Sequence, residues 1–309
     1  MSTMKRVLAI LVMVALVAGF GFAEGQKEGS AEGQGQMEQK GEVKLAYVEW
    51  ARCVAITQAA GAILGEMGYN VTTNNVANAA MWQSVASGDS DGHLCAWLPV
   101  THKMFYGEEG RFTDQVEKVD QNYDEAALGL VVPEYVEINS IPELVENASQ
   151  FNGEIVGIDP GAGMMQATEQ AVENDTYGLS ALNLLEGSGP TMTAALGDAI
   201  SNEEPIVVTG WKPHWKFARW DLKILEDPEN KVFGAAETIN TIVRQGLEED
   251  KPELYNFMSN MDWQSIESSV IGQIMLEVQD GAEPAEAARQ VISNNRSAVN
   301  SALPEGMSF

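Results

Sequence analysis

The sequence predicts an α/β protein of two lobes, each a mainly parallel sheet flanked by helices, with the ligand cleft between the lobes. Three observations lead there. Short apolar, β-branched runs alternate with helical patterns, and that alternation occurs twice, on either side of an apolar run at 128–133. Several of the runs end on a tryptophan or a glycine-rich turn. In open α/β sheets ligands gather at the carboxyl ends of strands.

In chain order, Lys5 and Arg6 precede an apolar run over 7–22, and Gly21-Phe22-Ala23 offers small residues for cleavage after Ala23. Residues 1–23 are therefore expected to be a signal peptide, with an uncleaved anchor as the alternative. No cysteine stands at the cleavage site, so no lipid anchor is expected. Residues 24–42, rich in Gly, Gln, Glu and Lys, bury too little to offset ordering entropy and read as a flexible tether. The strand-like K-L-A-Y-V-E-W follows, then a helical pattern over 54–67 stopped by Gly68. Residues 70–76 read as a strand, 79–86 as a helix and 93–97 as a third strand. The second lobe repeats the pattern: strands at 155–158, 182–185 and 206–209, with helices over 165–173 and 191–200 between them. Residues 222–225 are expected to be the return strand, and the chain from about 235 to 303 reads as helical. The expected division is a first lobe from 43–130, a second lobe from 131–218, and a return to the first over 219–305.

A formal net charge of −27 argues against nucleic acid and anionic membrane surfaces as partners, since both need a basic patch. The three histidines, His93, His102 and His214, form no metal-ligand spacing, so no metal and no cofactor are expected. Cys53 and Cys95 are the only cysteines. In an exported protein they are candidates for a disulfide, with two buried free thiols as the alternative. No catalytic residues are assigned: the chain lacks a G-x-S-x-G elbow, and a cysteine with a histidine elsewhere is weak support for a nucleophile.

Tryptophan carries the argument about ligand. Trp82 and Trp263 lie in helical patterns and are expected in the core, whereas Trp50, Trp97 and Trp211 fall at predicted strand ends in both lobes. A cluster of such rings suits a cation without hydrogen-bond donors, such as a quaternary ammonium. Each ring contributes about 0.5–2 kcal/mol, and a micromolar complex needs about 8 kcal/mol, so an anionic handle is needed too. The turn G-I-D-P-G-A-G-M-M at 157–165, leading into a helix, offers backbone N–H groups to a carboxylate. His102, just past W-L-P, offers a side-chain donor, and His214 is a further candidate.

The segments Y-V-E-W (47–50), A-W-L-P-V-T-H (96–102), L-G-L-V-V-P-E-Y-V (128–136), I-V-G-I-D-P-G-A-G (155–163), V-T-G-W-K-P-H-W (208–215) and D-L-K-I-L-E-D-P (221–228) resemble the glycine betaine/proline betaine substrate-binding proteins of ABC importers. The resemblance runs from residue 43 to 303. It implies a two-lobed periplasmic binding protein fold of type II-like form. It also implies a box of Trp50, Trp97 and Trp211 around a trimethylammonium group, with Trp215 competing for the place of Trp211. Gly157 and Ile158 backbone N–H groups, with the His102 side chain, are implied to hold the carboxylate. The implied protein is a monomeric extracytoplasmic receptor, not an enzyme, that delivers glycine betaine to a membrane permease. A choline, carnitine or proline betaine receptor using the same box is one alternative. A thiol or hydrolytic enzyme using Cys53 or Cys95 with His102 is another. Both cysteines depart from the family, where acidic residues are more usual.

Overall fold

The structure, a computed structural model, describes residues 39–309. The expected signal peptide and the tether up to residue 38 lie outside the described residues. The strand expected after the tether begins slightly earlier, as β1 (Gly41–Tyr47). It is followed by α1 (Ala51–Glu66), β2 (Tyr69–Asn75), α2 (Asn78–Ala86) and β3 (Gly92–Leu98). β1 pairs parallel with β2 along its whole length and touches β3 in parallel at Leu45. All seven residues of β3 are buried, because it lies inside the sheet with α1 and α2 packed against it.

The long strand β4 (Val116–Pro133) joins the two halves of the molecule. Its carboxyl end pairs antiparallel with β7 (Val208–Lys212) and β8 (Leu222–Ile224). Its amino end pairs antiparallel with β9 (Glu237–Arg244), which in turn pairs with β3. Between β4 and β7 the chain forms α3 (Ile141–Glu146), β5 (Glu154–Val156), α4 (Gly163–Glu173), β6 (Asn183–Leu185) and α5 (Gly189–Ser201). The strand order is β2-β1-β3-β9-β4-β7-β5-β6, with β8 beside β4. After β7 comes the one-turn α6 (Lys216–Arg219), and after β9 come α7 (Leu247–Asp250), α8 (Pro252–Asn260), α9 (Gly272–Gln279), α10 (Pro284–Asn294) and α11 (Arg296–Ala302).

The parallel βαβ units expected for both halves are present as β2-β1-β3 and β6-β5-β7. Five details differ from expectation. The middle strands, β9 and β4, run antiparallel to their neighbours, so the sheet is mixed. Residues 222–225, read as the return strand, pair instead with β4 in the second half. The return is made by β9, in a stretch read as helical; the side-chain amide of its buried Asn240 donates to the Ala96 carbonyl and to the carbonyl and hydroxyl of Thr238. The boundary placed at 130/131 falls inside β4. Strand β4 also extends twelve residues further toward the amino terminus than 128–133, through V-E-K-V-D-Q-N-Y-D-E-A-A, where three register shifts against β9 break the alternation that marks a strand.

Candidate functional site

One cavity draws on both halves. Its walls include Trp50, Trp97 and Trp211, with Thr101, Ile158 and the start of α4 completing it, and it holds about 390 Å³ of empty space, open mouth included. Each ring is placed by a different local device. Trp50 is the N-cap residue of α1, three residues beyond the end of β1 at Tyr47, with an extended backbone (φ −106°, ψ 137°). Trp211 sits one residue before the end of β7, opposite Leu128 of β4.

Trp97 lies one residue before the end of β3 and is locked by a turn that closes on itself. The His102 N–H donates to the Trp97 carbonyl at 3.0 Å, and the Trp97 N–H donates to His102 Nδ1 at 3.0 Å. From β9, the buried carboxylate of Glu237 accepts from the N–H groups of Val100 and Thr101, both at 2.7 Å, and from the Thr101 hydroxyl. Glu237 therefore holds the turn that carries one ring. Sequence reading missed it because it lies in the stretch taken as helical.

The two halves meet at this cavity. Trp50 Nε1 donates to Asp159 Oδ2 at 2.9 Å, and Asn78 Nδ2 donates to the Gly161 carbonyl at 3.1 Å. A Cβ on Gly163 would stand 2.3 Å from the Thr101 carbonyl, so only glycine lets the 157–165 turn approach the 97–102 turn this closely.

The turn meets the cavity through the first residues of α4. Ala162, the N-cap, supplies no side-chain cap, and among the described residues no group accepts from the N–H of Gly163 or Met164. Both residues line the cavity. Unpartnered donors at a helix amino terminus carry partial positive charge and favour an anion. The Gly157 N–H, expected at the carboxylate, donates to the Leu185 carbonyl at 2.9 Å as an extension of the β5–β6 ladder, and Gly157 does not line the cavity. The Ile158 N–H does sit at the cavity, held at 3.2 Å by Met165 Sδ, a weak acceptor.

His102 is fully buried and stands one layer back, stacked on Trp50 with ring centroids 5.8 Å apart. Burial brings its pKa down to about 3, so the ring is neutral at pH 7. Because Nδ1 accepts from Trp97, the single proton of the neutral ring sits on Nε2, which has no acceptor among the described residues. Trp215 lines a neighbouring cavity, with His214 and Met275, and not this one. Trp82 and Trp263 are core residues, both essentially unexposed.

Besides Glu237, three features were not anticipated by sequence. Arg52 lines the cavity, but its charge is paired by two-pronged bonds to Glu267 (3.0 and 2.8 Å) and a bond to Asn122 Oδ1 at 3.0 Å. Asp159 bridges to Trp50 as described. Thr101 contributes its chain to the wall. The cysteine question is answered by a Cys53–Cys95 disulfide, with Cα atoms 5.5 Å apart and Cys53 on the cavity wall. Both thiols are consumed, which leaves the thiol-enzyme alternative without a nucleophile.

Over residues 41–294 the chain matches the family OpuAC, "Substrate binding domain of ABC-type glycine betaine transport system". It is 47% identical over 146 residues to "Glycine betaine/carnitine transport binding protein GbuC" of Listeria monocytogenes serotype 1/2a (strain 10403S); that match spans 47% of this chain and 47% of the relative, about half the length of each. Among solved structures it is similar to lactococcal OpuAC in its closed-liganded conformation complexed with glycine betaine, at 37% identity and a TM-score of 0.76, covering 85% of this chain and 100% of that one. It is also similar to an ABC-transporter choline binding protein in complex with choline, at 25% identity and a TM-score of 0.74, covering 86% and 94%. A two-lobed α/β fold, tryptophans from both halves on one cavity, and a match over residues 41–294 agree: the chain belongs to the OpuAC family of ABC-type glycine betaine substrate-binding domains.

Proposed function

We propose that the protein is an extracytoplasmic receptor that captures glycine betaine and delivers it to the membrane permease of an ABC importer, acting as a monomer and catalysing no reaction. The observation that carries this reading is the meeting of Trp50, Trp97 and Trp211 with the unpartnered first turn of α4 at one cavity. The rings exclude water and offer π faces to the methylated cation. The N–H groups of Gly163 and Met164, with Ile158 and the Nε2–H of His102, take the carboxylate. The ligand thus touches both lobes, and closure of the lobes around it gives the permease a form to distinguish from the empty one. Residues 1–23 direct export.

Titration of the purified protein with glycine betaine, followed by tryptophan fluorescence, tests the reading; choline and glycine are the comparisons. Saturable binding of glycine betaine without binding of glycine supports it. Tighter binding of choline than of glycine betaine would keep the box and reject the carboxylate site, and no response to any of the three would reject both.

A further inference from the structure

Behind the Trp211 wall lies a charged side chain that the binding reading leaves unused. Lys216 opens α6 and is fully buried. Its Nζ stands over the Trp211 ring, 4.8 Å from the centroid, and 5.7 Å from that of Phe217. No group among the described residues pairs with it. It occupies space that Gly210 leaves vacant, since a Cβ on that glycine would meet Nζ at 2.8 Å and Val131 Cγ2 at 2.5 Å.

The groups around this amine do not neutralise it. From β7 come only the Trp211 ring and the bare Cα of Gly210. From β4 comes the apolar Val131. From the loop before α6 comes His214, whose Nδ1 accepts from the Lys216 backbone N–H at 3.1 Å. Burial, and then the neighbouring Lys216 charge, hold His214 well below its usual pKa, so it is neutral. The Lys212 ammonium lies over the Phe217 ring at 4.6 Å, a second positive charge nearby. Burial alone lowers the Lys216 amine to about 7, so near neutral pH it is poised between its two forms.

We propose that Lys216 is a specificity-determining residue of the tryptophan box: a quaternary ammonium against Trp211 and a proton on Lys216 oppose each other through the shared ring. The inference rests on the reading of the cavity as a quaternary ammonium site. Two cations drawing on one ring compete for its quadrupole and repel each other where water does not screen them. Linkage makes the effect reciprocal, so binding expels a proton from Lys216 and loss of that proton tightens binding. Choline, a bare cation, feels the opposition more than glycine betaine, whose carboxylate offsets part of its charge.

Isothermal titration calorimetry of glycine betaine and choline at about pH 6, 7 and 8.5 tests this, using buffers of different ionisation enthalpy, with the native protein and Lys216→Met. For the native protein, affinity is expected to rise about tenfold from the lowest to the highest pH, more for choline, with fractional proton release near pH 7. Lys216→Met should bind equally well throughout that range and release no proton. Binding without proton release and without a pH slope in the native protein overturns the proposal while leaving the box intact, and so does a slope that survives in Lys216→Met. The native measurements decide the matter even if the variant folds poorly. Absence of binding at every pH removes the quaternary ammonium reading and this coupling with it.

Discussion

Loss of the Cys53–Cys95 bond should both destabilise the protein and loosen the box. Cys53 lies in the first turn of α1, three residues past Trp50, and Cys95 lies in β3, two residues before Trp97. The bond therefore fastens the helix that carries one ring to the strand that carries another. Its partners are 42 residues apart in sequence. The entropy lost by closing a loop of that length in the unfolded chain corresponds to about 4 kcal/mol at 25 °C. Guanidinium unfolding of the oxidised protein and of the Cys53→Ala/Cys95→Ala double variant, followed by tryptophan fluorescence, measures it. The variant should lose about 4 kcal/mol, with a larger slope because its denatured chain is free to expand. Its affinity for glycine betaine should fall several-fold, as two rings lose a shared anchor. A loss of under about 1 kcal/mol would refute the stabilising role. An unchanged affinity would separate the bond from the box.

Trp97→Ala should weaken glycine betaine binding at least tenfold, about 1.4 kcal/mol, in line with one ring's contribution plus its excluded water; fluorescence or calorimetric titration checks it, and unchanged affinity would remove Trp97 from the box. His102→Ala should cost glycine betaine more affinity than choline, because the Nε2–H serves only a ligand with an acceptor; equal losses would deny it that role. Lys216→Met should raise thermal stability at and below pH 7. The amine's pKa falls from 10.5 unfolded to about 7 folded, so the unfolded chain binds more protons between those values. The cost, on the order of 4 kcal/mol at pH 7, is full at lower pH and fades as pH rises toward the unfolded value. Native stability should therefore gain an upward slope above pH 7 that the variant lacks, measured as melting temperature against pH.

The elements legible in the sequence were those whose burial is uniform or periodic. β3 is buried along its length, and α1, α2, α4 and α5 were found within three residues of their observed ends because apolar spacing and Gly68 or Gly88 mark them. β9 was not legible. Its T-I-N-T-I pattern puts Asn240 and Thr241 in the core, where the Asn240 amide donates to the Ala96 carbonyl and Thr238 and the Thr241 hydroxyl accepts from Asn122, and these partners are distant or invisible in a linear reading. The same limit governs the site. Three tryptophans at strand ends could be named from sequence, because a strand's end is a local property and the sheet brings such ends together. Whether a given backbone N–H is free is not local: Gly157 and Gly163 sit in one glycine-rich turn, yet the ladder to β6 consumes the first donor and leaves the second open at the head of α4. Lys216 makes the point most sharply. In sequence it is one more lysine in W-K-P-H-W-K-F, with every appearance of a solvated surface residue. Its burial follows from the missing side chain at Gly210, which lets the amine lie against the back of Trp211. A charge placed there without a partner acts on the ring in front of it, so the proposed box would have an electrostatic back wall as well as an aromatic face.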